Sequence, residues 1–110
     1  DGGWGEDGAT YWQERRAEAK ESTPSQTAWA LLALMAAGAI DDPAVARGIA
    51  YLQSAPREGV RWKEEWYTAV GFPRVFYLRY HGYAAYFPLW ALARYRNLKR
   101  RNARTVSWGL

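Results

Sequence analysis

The sequence contains no cysteine and a single histidine. A disulfide framework, a thiolate metal site and a His-rich metal cluster are therefore excluded. The sequence also lacks an uninterrupted apolar run of about 18 residues, the length that a transmembrane helix needs, and it does not open with a signal-peptide pattern. Nothing in it matches a nucleotide-binding loop, a hydrolase triad or a metal site. The sequence predicts neither a metal ion nor a cofactor.

Aromatic residues, by contrast, are abundant. The 110 residues include seven Trp, eight Tyr and three Phe, and 49% of the residues are apolar. That apolar fraction is sufficient for a core, and the length predicts one small domain or a piece of one. Filling such a core does not require so many rings, so some of them are candidates for a binding surface.

Basic charge is concentrated near the C-terminus. Residues 94–104 hold six of the fifteen Lys and Arg residues and no acid, whereas the rest of the chain has nine cations and eleven acids. A basic tail of this kind suits an anionic membrane surface or nucleic acid. A solvated, frayed terminus is at least as good an interpretation, and we predict a flexible basic tail over residues 99–110.

Two helices are predicted from their capping signals. Thr23 is the expected N-cap of the first, with Pro24 at its first position and Gln26 completing a capping box. Asp42 is the expected N-cap of the second, with Pro43 at its first position. This placement makes helix capping the better role for the only adjacent aspartates, Asp41 and Asp42.

The two helices differ in apolar pattern. Residues 27–37 are apolar on every side, which predicts a helix that is buried all round. The second helix has one apolar face, made by Val45, Ile49 and Leu52, and should end before Pro56. An all-round apolar helix beside a one-faced helix is typical of α/α barrels and solenoids. Residues 56–71 are predicted to be an irregular connection.

An aromatic series follows that connection. Its spacings of four, four and three residues would place the rings on one face of a helix, where they could line an apolar or cationic ligand. The same stripe could instead be ordinary core. Because Gly82 and Pro88 interrupt the pattern, we expect a kink or a new helix near Phe87, running to about Leu98. The four residues of the series are Phe72, Phe76, Tyr80 and Tyr83.

The segment from Gly71 to Tyr95 resembles the C-terminal end of bacterial squalene–hopene cyclases. It reads Gly-Phe-Pro-x-x-Phe-Tyr-Leu-x-Tyr-x-x-Tyr-x-x-x-Phe-Pro-x-x-Ala-Leu-x-Arg-Tyr. The resemblance continues upstream through the Ser-Thr-Pro-Ser-Gln-Thr-Ala-Trp-Ala-Leu stretch at residues 22–31 and the Gly-Gly-Trp-Gly-Glu-Asp stretch at residues 2–7. It covers the chain up to about Leu98.

The resemblance implies an all-α fold that is part of an α/α barrel (toroid) of paired inner and outer helices, with Trp-containing turn repeats. Trp4 and Trp62, which lie 58 positions apart, would belong to two copies of that repeat. The second copy departs from the repeat pattern, with Pro56 at its Gln position and Val60 at its Gly position. The resemblance assigns residues 1–98 to an incomplete barrel domain that begins inside a repeat.

The resemblance also implies an activity: the protonation-started cyclisation of squalene, a linear C30 polyprene, to hopene or hopanol, without a cofactor. Phe72, Phe76, Tyr80 and Tyr83 would line the cavity, with Phe76 nearest the late cations. No catalytic residue is implied within the chain, since the family's Asp-rich acid motif lies upstream of anything present. His81 could be a base, but a surface position suits it better. Trp4, Trp29, Trp62 and Trp90 would pack between helices.

The expected partners are the squalene-like substrate, the remainder of the cyclase chain and a membrane surface, without nucleic acid. The parent enzyme would be a peripheral (monotopic) protein of the bacterial cytoplasmic membrane. The alternative is a non-enzymatic helical module that binds lipid or a membrane surface through an apolar pocket and the basic tail. An Asp-rich acid motif encoded upstream would favour the enzyme, and a start codon just before Asp1 would favour the module.

Overall fold

The structure is a computed structural model that describes residues 1–6, 8–15, 21–68, 70–72, 74–101 and 106. Within these residues, two short 3-10 turns come first, and three α-helices and two β-hairpins follow. The helices are α1 (Pro24–Ala36), α2 (Pro43–Ser54) and α3 (Tyr83–Arg100). The strands are β1 (Arg57–Glu58), β2 (Arg61–Trp62), β3 (Val70–Phe72) and β4 (Phe76–Leu78). A helical turn that propensity predicts at residues 17–20 lies outside the described residues.

Helix α1 begins as its capping signals predict. The Thr23 side chain accepts the hydrogen bond of the Gln26 backbone N–H, and Pro24 occupies the first helical position. The Gln26 side chain does not complete the capping box, because the Thr23 backbone N–H donates to the Trp4 carbonyl at 2.8 Å. The first turn of α1 is therefore tied to the N-terminal segment.

The expectation that α1 is buried all round is wrong. Leu31 and Met35 are fully buried, but Ala33 and Ala36 are exposed. Alanine favours helix wherever it lies, so a run of apolar residues that contains several alanines does not require burial on every side. The buried side of α1 packs against both α2 and α3.

Helix α2 matches its prediction. The Asp42 side chain accepts the Ala44 N–H at 2.8 Å, and Val45, Ile49 and Leu52 are buried. Gly48 lies on the same side, where an added Cβ would stand 2.8 Å from both Leu31 and the Trp4 ring. A glycine is needed here because the helix approaches α1 and Trp4 so closely.

The connection after α2 contains a hairpin that the sequence did not predict. Strands β1 and β2 pair antiparallel around Gly59, whose φ of 64° suits a tight turn. Trp62 is 2% exposed and its indole N–H donates to the Leu52 carbonyl at 2.7 Å. The Arg57 guanidinium lies 3.4 Å from the centre of the Trp62 ring. Trp62 is thus buried, bonded at its ring edge to the end of α2 and covered on one ring face by Arg57.

The predicted aromatic helix is also wrong over its first half. Phe72 and Phe76 face each other across a second antiparallel hairpin, β3–β4, and not along a helix. Gly71 and Arg74 have φ values of 120° and 64°, outside the helical region. A hairpin with a three-residue turn places residues i and i+4 opposite each other, so a spacing of four does not distinguish this hairpin from a helix.

Helix α3 begins at Tyr83 and continues through Pro88. Of the two predicted alternatives, a new helix near Phe87 is therefore wrong, and a kink stays a prediction. Pro88 removes one backbone hydrogen bond from the helix. Its ring is fully buried, and this packing stabilises proline at the position. The helix extends two residues past Leu98 into the predicted tail, where Lys99 forms an ion pair with Asp41 at 2.9 Å. Val106 packs against the core; residues 102–105 and 107–110 lie outside the described residues.

The described part of the chain is therefore mostly helical, as predicted, but its four short strands make the all-α prediction too simple. The core lies among the three helices, where α1 is central. The two hairpins lie between α2 and α3 in the chain. The α/α toroid, which requires more helices than the described residues form, stays a prediction.

Candidate functional site

The second hairpin presents two phenylalanines to solvent. Phe72 is 65% exposed and Phe76 is 46% exposed, and their rings meet edge to face with centroids 5.3 Å apart. Exposed large apolar residues are individually common, but a pair of exposed rings in contact on one hairpin indicates an interaction or ligand surface. We call this pair the hairpin rings.

Tyr80 and Tyr83 form a second pair at the start of α3. Their ring centroids lie 5.2 Å apart. Tyr80 is 52% exposed, whereas Tyr83 is half-buried. The ring of Tyr83 also meets Phe87 and Trp29 edge to face, at 5.2 Å and 5.3 Å. Trp29 therefore packs between α1 and α3, as predicted.

The four predicted lining residues thus come together as two pairs and not as one helical stripe. The hairpin rings come from facing strands, and the tyrosine pair comes from the turn into α3. Three of the four side chains are exposed, so they are available to a ligand or to another part of a protein. Their role in lining a cavity stays a prediction.

The back of the hairpin packs against the N-terminal segment. Successive side chains of a strand point to opposite faces, so Tyr77 lies on the face opposite Phe76. The Tyr77 ring stacks on that of Tyr11 at 5.8 Å, and the Arg74 guanidinium lies 5.6 Å from the Trp12 ring. The sequence reasoning missed these contacts, which hold one face of the hairpin and leave the other open.

A polar network joins the first turn of α1 to the segment that precedes the hairpin. The Glu64 carboxylate accepts hydrogen bonds from the Ser25 N–H at 2.9 Å and the Ser25 hydroxyl at 3.0 Å. Gln26, which is 7% exposed, donates to the Thr68 hydroxyl at 2.9 Å and to the Glu6 carbonyl at 3.1 Å. Its side-chain oxygen accepts from the Glu6 N–H at 2.6 Å and from the Thr23 hydroxyl at 2.7 Å.

Burial raises the pKa of the Glu64 carboxyl, because desolvation disfavours its charged form; the hydrogen bonds from Ser25 and the charge of Arg79 act in the opposite direction. A raised pKa makes Glu64 a weaker acid, the wrong direction for protonating an alkene. Asp42 caps α2 and Asp41 pairs with Lys99 on the surface. Neither aspartate is arranged as a strong acid.

The described residues outside these clusters add little chemistry. His81 is exposed, which agrees with the surface position expected for it. No group of three or more His, Cys, Asp or Glu side chains that could hold a metal ion occurs among the residues that the structure describes. Trp4 packs on the core. Trp90 is 41% exposed and stacks on Phe87 at 6.2 Å, so it does not pack between helices here.

An apolar groove of about 600 Å³ runs between α2 and the second half of α3. Ile49, Leu89 and Leu92 contribute apolar walls, and Arg96 and Arg100 lie among its lining residues. Within the described ranges, no helix combines the length and the apolar character that crossing a membrane requires.

Comparison with known proteins gives one consistent result. A family model described as "Squalene-hopene cyclase C-terminal domain" matches residues 1–97. The chain is 63% identical to the squalene–hopene cyclase of Bradyrhizobium diazoefficiens and 57% identical to that of Zymomonas mobilis, in both cases over 100% of the chain and 17% of the relative. It is 46% identical to the dammaradiene synthase of Dryopteris crassirhizoma, over 87% of the chain and 15% of that protein.

Proposed function

Since the chain belongs to the squalene–hopene cyclase C-terminal domain family, we propose that it works as one part of a triterpene cyclase and supplies an aromatic wall of the reaction cavity. The chain spans 17% of the length of its bacterial relatives, so the remainder of a cyclase would complete the barrel and the cavity. The substrate would be a squalene-like C30 polyprene and the product hopene or hopanol.

The observation that carries this proposal is the exposed face of the second hairpin. Cyclisation moves a carbocation through the substrate, and a nearby carboxylate or hydroxyl would capture that cation or remove a proton early. An aromatic face attracts the cation without forming a bond, by about 0.5–2 kcal/mol. The hairpin rings offer such faces without a lone pair.

The acid that starts the reaction would come from another part of the cyclase. Protonation of an alkene needs a carboxylic acid whose conjugate base is strongly stabilised. Asp41, Asp42 and Glu64 have other contacts in this chain and do not meet that requirement. The chain would bind and steady the substrate without a cofactor, and would not initiate cyclisation by itself.

A chimeric enzyme tests the proposed function. The whole chain, residues 1–110, would replace the matching segment of the Bradyrhizobium diazoefficiens cyclase. Conversion of squalene would be followed by gas chromatography with mass detection. We expect the chimera to form pentacyclic triterpenes and the isolated 110-residue chain to form none. A chimera that folds, by circular dichroism, yet forms no cyclised product would refute the proposal, and cyclisation by the isolated chain would contradict the external acid.

We also propose that the parent enzyme is a peripheral (monotopic) protein of the bacterial cytoplasmic membrane. The groove between α2 and α3 supports this proposal, because an acyl chain fits its apolar walls and an anionic headgroup complements Arg96 and Arg100. A non-enzymatic lipid-binding module would use the same groove, and cyclisation by the chimera would decide against that alternative.

Vesicle sedimentation of the chimera tests the membrane proposal. Replacing both Arg96 and Arg100 with alanine should weaken binding to phosphatidylglycerol vesicles by about tenfold or more, since each cation near an anionic surface contributes about 1 kcal/mol. Replacing Arg61 and Lys63 with alanine removes the same charge beside the other end of α3, where Ala84 lies, and should change binding little. Equal losses in the two double variants would show a general charge effect and contradict a site at the groove.

A further inference from the structure

The position of the hairpin rings depends on residues that lie outside the proposed cavity surface. We infer that the first turn of α1 anchors the second hairpin, and that Gln26, Glu64 and Thr68 are positioning residues that determine where Phe72 and Phe76 stand. This inference rests on the proposed function, since it concerns the placement of the proposed cation-stabilising rings.

The first step is the attachment of residues 64–68 to α1. Glu64 holds the Ser25 backbone N–H and hydroxyl, and its negative charge lies at the positive N-terminal end of the helix. Four residues later, Thr68 accepts a hydrogen bond from the Gln26 amide at 2.9 Å. Consecutive residues of one buried helical turn therefore hold the two ends of this segment.

The second step is the attachment of the hairpin to that segment. Thr68 lies two residues before β3, so it determines where the first strand begins. Arg79 directly follows β4, and its guanidinium donates to the Glu64 carbonyl at 2.6 Å and lies 5.1 Å from the Tyr67 ring. Both ends of the hairpin are thereby fixed to residues 64–68, and through them to α1.

The α1 side of this attachment is buried, and the Gln26 amide is fully hydrogen-bonded. Ser25 is 1% exposed and Gln26 is 7% exposed, so a lost partner could not be replaced freely by water. Each polar atom of the Gln26 side chain is used, with two hydrogen bonds accepted by its oxygen and two donated by its nitrogen. A fully bonded amide permits one orientation, and it therefore defines a single position for Thr68.

A hydroxyl-deletion series tests the inference in the chimeric enzyme. Thr68→Val removes the acceptor of the Gln26 amide at nearly constant shape, whereas Thr68→Ser keeps a hydroxyl. We expect Thr68→Val to raise the ratio of incompletely cyclised to fully cyclised product by about three- to tenfold, the factor that one lost hydrogen bond gives. Amide hydrogen exchange over residues 70–78 should become faster, and Thr68→Ser should restore both properties.

Asp42→Ala is the control, because it removes the N-cap of α2 and lowers stability without touching the anchor. It should leave the product ratio and the exchange of residues 70–78 unchanged. An unchanged product ratio in Thr68→Val, or equal changes in Thr68→Val and Asp42→Ala, would refute the anchor. If the product ratio responds to Phe76 substitution but not to Thr68→Val, the proposed function stands and the anchor alone fails. If the chimera makes no cyclised product, the proposed function fails, and the exchange of residues 70–78 in Thr68→Val decides whether the anchor stands.

Discussion

Phe76→Leu in a complete cyclase carrying this segment is expected to shift the product mixture about five- to thirtyfold toward early-terminated triterpenes that are incompletely ring-expanded. Leucine keeps an apolar side chain but removes the ring face. Loss of about 1–2 kcal/mol of cation stabilisation would let proton loss compete with the next migration. Product distribution by mass spectrometry, measured beside the melting temperature, provides the test.

Val75→Ala is the matched control for that experiment. Val75 lies next to Phe76 at the tip of the same hairpin and is 78% exposed, but it has no ring. Its truncation should leave product ratios unchanged. If Phe76→Leu keeps the original product ratios and only lowers the melting temperature, the hairpin rings are packing residues and the cation-stabilising role is contradicted.

Leu31→Ala is expected to produce the largest loss of stability, about 3–5 kcal/mol in the free energy of unfolding. Leu31 is completely buried at the centre of the helical core, so its truncation leaves a cavity in addition to the lost transfer free energy. Leu31→Met conserves volume and should cost less than about 1.5 kcal/mol. Denaturant unfolding of both variants in the chimera measures the difference.

Product ratios of the Leu31 variants should stay unchanged in whatever protein still folds, because Leu31 belongs to the buried helical core and the hairpin rings are exposed. Trp29 is a poorer choice for this comparison. Its ring contacts both Tyr83 and Phe87, so its removal would disturb the tyrosine pair as well as the packing. A small loss for Leu31→Ala, similar to that of Leu31→Met, would show that the core closes around the gap.

The helical half of the fold could be predicted from local chemistry. A side-chain oxygen at the N-cap followed by proline specifies where a helix starts, and these groups act within one turn, as at Thr23 and Asp42. The apolar face of α2 followed from periodicity for the same reason. The family motif that contains Phe72, Phe76, Tyr80 and Tyr83 can likewise be identified from the order of the residues alone.

The site geometry could not be predicted in this way. A spacing of four residues places two rings together on a helix and also across a three-residue turn. The choice between them depends on the backbone of Gly71 and Arg74, at positive φ, and on what the hairpin packs against. Tyr11 holds the back of the hairpin through Tyr77, a contact across 66 positions that no local pattern reveals.

The contacts of Gln26 separate most clearly what the local sequence determines from what the tertiary structure determines. The sequence by itself determined that Thr23 caps α1 and that Gln26 stands at its third position, since capping involves only neighbouring residues. Tertiary structure alone decided that the Gln26 amide turns away from the Thr23 N–H to bind Glu6 and Thr68. Thr68 lies 42 positions away and becomes a partner only when α1, the N-terminal segment and the second hairpin exclude water together. Because burial makes an unpaired amide costly, packing selects the partners, and packing is a property of the whole fold.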